Sequence, residues 1–179
     1  MLDYLNFFKN LLPIKSINFN NNDLSLIINK QELFNILNFL KNSEFFKYDI
    51  LVDIICTELK DSFNFELTYI LLSVINSYRI NIKLLINNND EIHSISNIYF
   101  NSDWMEREVW DLYGIFFKYH NDLRKILTDY GFKGNPLKKA FPISGFFDVK
   151  YDFYNKMVVS TNLTKDQRYK FFNYKTPWV

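Results

Sequence analysis

The sequence predicts an α+β fold: a small, mostly antiparallel sheet with helices on one face, followed by an extended irregular C-terminal arm. Three observations carry this. Arg79–Ile86 alternates strictly, with Ile80, Ile82, Leu84 and Ile86 on one side and Arg79, Asn81, Lys83 and Leu85 on the other. Period two with one polar side marks a sheet covered on one face only. Leu33, Ile36, Leu37 and Leu40 form a single apolar stripe at helical spacing, the natural cover for that face. Beyond residue 114 the periodicity fades, and all four glycines of the chain fall within 114–145. Residues 1–100 therefore read as an α+β body, and 101–179 as one charged helix and an extended docking arm.

The elements follow in order. Leu2, Leu5, Phe8 and Leu12 recur at helical spacing before Pro13, which predicts a short helix over 2–11. Residues 14–18 and 23–28 read as strands around a turn at Asn20-Asn21-Asn22. Asn29 is a good N-cap with Glu32 three residues on, so 30–42 is an amphipathic helix. Residues 48–58 are β-rich, with Ile50, Val52, Ile54 and Cys56 expected on one face. A second long apolar strand covers 63–75, a turn falls at Asn76-Ser77-Tyr78, and the 79–86 strand follows. Asp103 is read as the cap of a helix that ends at Tyr113, with Gly114 as its C-terminal stop.

That last helix opens the segment 106–126, in which charges are interspersed among Trp110, Tyr113, Phe116, Phe117 and Tyr119. A solvated helix would keep its charges on one side. Here Glu106 falls between Trp110 and Tyr113, and Glu108 between Trp104 and Leu112 on the helical wheel. Arg107 and Asp111, four apart, form the polar side and are placed to pair. Charges that border apolar surface need partners, because an unpaired buried charge costs several kcal/mol. Arg107, Arg124 or a residue of a neighbouring subunit are the expected partners of the two glutamates.

Composition narrows the function. With 48% hydrophobic residues and 19% aromatics the chain is rich enough for a core, and its net charge of +1 lacks the strongly basic balance of a nucleic-acid module. The charge is uneven: residues 1–100 hold 8 Lys/Arg against 11 Asp/Glu, and residues 101–179 hold 13 against 9. The mildly basic half suits an acidic partner. The single cysteine, Cys56, excludes an internal disulfide and a cysteine-ligated cluster made by this chain alone. No apolar run approaches the roughly 20 residues of a membrane span. The first nine residues have no arginine and an early acid, a poor signal or transit peptide. The abundance of Asn, Phe, Ile, Lys and Tyr, with few Gly, Pro, Ala and Arg, is the mark of AT-rich codons and suits an organelle-encoded protein.

The sequence holds no self-sufficient active site. Glu106 and Glu108 point to different sides of a helix and cannot flank one substrate. His120, Asp122 and Asp129 match no zinc spacing. Residues 131–139 lack the phosphate-loop spacing G-x-x-x-x-G-K-[ST] and read as a turn-rich docking segment. The tail keeps Tyr151, Phe153, Tyr154, Tyr169, Phe171, Phe172, Tyr174 and Trp178, which fits contact with another protein better than solvent. The alternative is an RNA-binding module that stacks bases on these aromatics and meets phosphates with its lysines.

Glu106-Arg107-Glu108-x-x-Asp111-Leu112-Tyr113, then six residues, His120, three residues, Arg124-Lys125-Ile126 resembles the signature of the 30-kDa subunit of respiratory complex I. Members of that family are called NADH dehydrogenase subunit 9 when mitochondrially encoded, and bacteria have a counterpart. The stretch from Asp129 through Gly134-Asn135-Pro136-Leu137-Lys138-Lys139-Ala140-Phe141-Pro142 is similar to the family's Gly-His-Pro-Leu-Arg-Lys-Asp-Phe-Pro segment. Tyr151-Asp152 and the ending Thr176-Pro177-Trp178 also look like the family's tail. Asn135, Lys138 and Ala140 depart from the family's histidine, arginine and aspartate, and lysine at 138 gives up bidentate geometry.

The resemblance implies a non-catalytic subunit of the peripheral arm of NADH:ubiquinone oxidoreductase, on the matrix side of the mitochondrial inner membrane. It would brace the large quinone-site subunit near the cluster-bearing neighbours and so support electron transfer from NADH to ubiquinone. It implies that this chain binds no cofactor, with FMN, iron–sulfur clusters, NADH and ubiquinone held by other subunits. Glu106, Arg107, Glu108, Asp111, His120, Arg124, Asp129, Pro136, Lys138, Lys139 and Trp178 would then serve structural ion pairs and contacts between subunits.

Overall fold

The computed structural model describes residues 12–20, 23–59 and 65–163, together with Lys175 and Trp178. The helix expected over 2–11 and the tail aromatics Tyr169, Phe171, Phe172 and Tyr174 lie outside the described residues. The chain divides into two units, Met1–Lys138 and Lys139–Val179.

The described elements of the first unit follow the buried Leu12. They are β1 (Ile14–Asn20), β2 (Asp23–Ile28), a 3-10 turn (Lys30–Glu32) running into α1 (Leu33–Asn42), β3 (Ile50–Glu58), β4 (Phe65–Ser73), β5 (Tyr78–Ile86), β6 (Glu91–His93), α2 (Ser102–Tyr113) and β7 (Phe116–Lys118). The five long strands form one sheet in the order β1-β2-β5-β4-β3. Three of its pairings are antiparallel, and β2 with β5 is parallel. A parallel pair needs a long crossover, and α1, β3 and β4 all lie between those two strands. A second, two-stranded parallel sheet joins β6 to β7. The expected α+β class is the one observed.

Alternation sets the core. Phe65, Leu67, Tyr69, Leu71 and Ser73 of β4 are buried, as are Ile80, Ile82, Leu84 and Ile86 of β5, while the residues between them are half-exposed. Leu33, Ile36, Leu37 and Leu40 of α1 belong to the same hydrophobic cluster. On the half-exposed side, Lys83 pairs with Glu66 across β5 and β4 at 2.7 Å.

β3 corrects one expectation. Its register against β4 shifts between Leu51 and Asp53. The bulge turns Ile50 and Val52 outward and buries Leu51 with Ile54 and Cys56. A strict period of two does not anticipate an inserted residue. The Cys56 thiol is buried, and burial, then the nearby Glu58 charge, push its pKa up to about 12. It is an inert core side chain at neutral pH.

α2 begins earlier than its acidic residue suggests. Asn101, not Asp103, precedes it, and the Asn101 amide donates to the Leu51 carbonyl at 2.7 Å instead of capping the helix. Gly114 ends the helix as expected, at φ 74°, with its N–H on the Trp110 carbonyl.

The second unit corrects the expectation of a wholly irregular arm. β8 (Phe147–Asp152) and β9 (Met157–Asn162) form an antiparallel hairpin. The Leu163 N–H closes its open end on the Phe146 carbonyl, and Phe141 meets Phe146 edge to face at 5.4 Å. The first unit extends to Lys138, and within it α2 packs against β3.

Candidate functional site

α2 gathers the signature residues and turns its polar side inward. Ser102, Glu106, Arg107, Val109 and Asp111 are its buried positions. Arg107 and Asp111, which the wheel places together on the polar side as a possible pair, are both buried and bond to different partners. The segment 119–138 wraps the helix and supplies those partners, so the helix is clamped between the sheet and its own following loop.

Asp111 anchors the loop. Its carboxylate accepts the backbone N–H groups of Ile126, Leu127 and Thr128, the Thr128 hydroxyl at 2.5 Å, and the Lys125 ammonium at 3.0 Å. Burial alone would raise the pKa of this group. The Thr128 hydroxyl and amide, then Lys125 and Leu127, outweigh it and hold the carboxyl well below the usual carboxylate range. One side chain thus satisfies three consecutive backbone donors that have no strand or helix to bond to.

Glu106 takes the other side of the helix. Its carboxylate meets the Ile95 N–H at 2.8 Å and the Ser94 hydroxyl at 2.6 Å. Burial pushes its pKa up to about 7, against the pull of those two bonds and with a further push from the Asp103 charge. Among the described residues neither Arg107 nor Arg124, the two arginines expected to pair with it, does so. His120, its side chain fully buried, stands with Nε2 3.2 Å from the Asp103 carbonyl, 3.3 Å from the Asp103 carboxylate and 3.8 Å from Glu106.

Arg107 donates from Nε to the Arg124 carbonyl at 3.1 Å, and its guanidinium lies 4.9 Å from the centre of the exposed Trp104 ring. The Arg124 side chain is exposed, and pairs locally with Asp122 at 3.0 Å. Glu108 is exposed, on the side away from Glu106. The two glutamates are therefore used differently: one is a buried anchor, the other is surface.

Asn135 closes the arrangement. Its amide donates to the Asp111 carbonyl at 3.0 Å, and the Leu137 N–H bonds to the Leu112 carbonyl, so the last turn of α2 is capped from outside. A Cβ on Gly114 would stand 2.6 Å from Asn135 Oδ1, which adds a packing reason to the positive φ for glycine there. Lys138 reaches Asn88 at 3.1 Å and lies 5.8 Å from the centre of the Phe65 ring. Asp129 holds its own turn through the Tyr130 N–H, and Pro136 is half-buried beside Asn135. Lys139 and Trp178 fall in the second unit and are exposed.

Sequence reasoning missed Ser94, Thr128 and Asn101, each a small polar residue with no pattern to single it out. Among the described residues, no group of three or more His, Cys, Asp or Glu is placed to hold a metal ion. No helix among them is long and apolar enough to cross a membrane.

The architecture has a counterpart in a respiratory assembly. A chain of the membrane-bound sulfane sulfur reductase, an archaeal respiratory membrane complex, superposes with a TM-score of 0.60 at 16% identity, covering 72% of this chain and 76% of that one. The sequence match is more specific. Residues 26–147 fit the family model of the respiratory-chain NADH dehydrogenase 30 Kd subunit. The chain is 36% identical over 171 residues to NADH-ubiquinone oxidoreductase subunit 9 of Dictyostelium discoideum, covering 92% of this chain and 81% of that protein. It is 39% identical over 151 residues to NADH dehydrogenase [ubiquinone] iron-sulfur protein 3 of Beta trigyna, covering 84% and 79%. This chain belongs to the 30-kDa subunit family of respiratory-chain NADH dehydrogenase.

Proposed function

We propose that the chain is a non-catalytic structural subunit of the peripheral arm of NADH:ubiquinone oxidoreductase, complex I. In this reading it braces the large quinone-site subunit beside cluster-bearing neighbours, on the matrix side of the mitochondrial inner membrane, and is organelle-encoded. FMN, the iron–sulfur clusters, NADH and ubiquinone are bound by those other subunits. The chain serves electron transfer by position alone, since a small displacement of a redox neighbour costs rate without any chemistry occurring here.

Beyond the family itself, one observation carries the reading. The signature helix spends Glu106, Arg107 and Asp111 on internal bonds, while Trp104 in its first turn and Phe100, just before its N-cap, are left 61% and 89% exposed. A large aromatic on an internally anchored helix, with a second just before its N-cap, makes a good anchor for a protein partner. The RNA-binding alternative gains no comparable support, because Lys125, Lys138 and Lys83 are engaged within the first unit.

The native protein, extracted gently and run on a non-denaturing gel, is expected to comigrate with NADH-oxidising activity. Migration as a free chain of 21.7 kDa would count against the proposal.

A further inference from the structure

Glu106 stands apart from the other signature charges. It is buried without a full counter-charge, yet a relay of hydroxyls leads away from it. Ser94 Oγ lies 2.6 Å from Glu106 Oε2 and 3.0 Å from Ser96 Oγ. The Ser94 hydroxyl has one proton and two oxygens to give it to. With the carboxyl protonated, hydrogen bonds run from Glu106 to Ser94 to Ser96. With it ionised, they run from Ser96 to Ser94 to Glu106. Both states keep the three side chains bonded, and only the direction of donation reverses. Ser96 is half-exposed, so the relay ends at solvent.

The groups that face Glu106 come from its own helix, from the sheet and from the 119–122 turn. His120, on the 119–122 turn, stands with Nε2 3.8 Å from the Glu106 carboxylate, and its Nδ1 lies 3.1 Å from the Asp122 N–H. Asp103, on α2 itself, opposes a second negative charge nearby. From the sheet, the Tyr69 hydroxyl is buried with no partner among the described residues, and from the helix the buried Ser102 hydroxyl stands close enough to favour the Glu106 carboxylate. Burial, and then the Glu106 charge, disfavour ionisation of the Tyr69 hydroxyl.

We propose that Glu106 is a proton-binding site of the folded chain, loaded and emptied through the Ser94 and Ser96 hydroxyls, and that its charge state sets how tightly the 94–96 loop and the 119–122 turn hold α2. The sign follows from linkage. The folded-state pKa, about 7, lies above the ordinary 4.5. The clasp is therefore fully stabilised below pH 4.5 and loses that contribution as pH rises to about 7. Opening hydrates the carboxylate, so the ionised form favours it.

The test uses the full-length chain with glutamate labelled at its carboxyl carbon. Glu106 is expected to titrate in the neutral range. Corrected for intrinsic base catalysis, the protection of the Ile95 amide is expected to fall by up to about a hundredfold between pH 4.5 and about 8. In Glu106→Gln the protection should be flat over that range. A Glu106 midpoint in the ordinary carboxylate range, or an Ile95 amide indifferent to pH in the unaltered chain, overturns the proposal. Both readouts need no variant, so a substitution that fails to fold does not blunt the test.

Discussion

Replacing Asp111 by alanine is expected to cost the folded chain about 3–5 kcal/mol, the range for breaking a buried, hydrogen-bonded ion pair from one side. The carboxylate is the common acceptor for the Ile126, Leu127 and Thr128 amides and for the Lys125 and Thr128 side chains. Alanine leaves those part-buried donors without the acceptor they share, and each group left unsatisfied carries a desolvation penalty. The loop 122–128 should detach from α2 before the sheet unfolds. Denaturant titration of the purified chain reads the cost, and a loss below about 1 kcal/mol would show that the loop finds other acceptors. The variant also changes the acid response. Because the folded-state pKa of Asp111 is depressed, its contribution is complete above the unfolded value of 3.8 and is lost as pH falls below it. Asp111→Ala should remove that acid-side loss while lowering stability at every pH above it.

Replacing Trp104 by alanine is expected to do the opposite: little to the isolated chain, much to the assembly. The ring is mostly exposed and its chief internal contact is the Arg107 guanidinium at 4.9 Å, a stacking worth about 0.5–1 kcal/mol at an exposed site. Folding stability should fall by no more than that. If Trp104 anchors a neighbouring subunit, truncation costs about 2 kcal/mol or more of association, roughly a thirtyfold loss. Competition between altered and unaltered chains for incorporation into the enzyme measures it. Equal incorporation would remove Trp104 from the interface. Glu108→Ala, on the exposed side of the same helix, tests the reach of that surface. Arg107→Ala does not, because Arg107 is tied to the Arg124 carbonyl and its loss strikes the fold itself.

The sheet is largely legible in the sequence because alternation in β4 and β5 reports burial directly. Alternation fails at β3, where Val52 is an extra residue that reverses the faces, and bulges leave no mark on composition. The place of the signature helix can be read from its sequence; its orientation cannot. Arg107 and Asp111 look solvated because polar residues on a wheel ordinarily face water. Here the following loop, poor in regular structure, needs acceptors for its own amides, and the helix supplies them. That demand arises from the path of residues 119–138, which no local pattern of spacing encodes. Glu106 does stand out in the sequence as a charge on an apolar border, but its partners are Ser94 and the Ile95 amide rather than an arginine. The hairpin of β8 and β9 escapes sequence reading because its exposed residues give alternation no buried face to reveal.

Hydroxyl-radical footprinting of Trp104 in the free chain and in the assembled enzyme tests the central claim most directly. If sister subunits complete the surface that this chain presents, Trp104 should be readily oxidised when the chain is alone and strongly protected in the assembly. Equal oxidation in both would mean that the helix face meets water throughout, and the account of the chain as a docking scaffold would be contradicted.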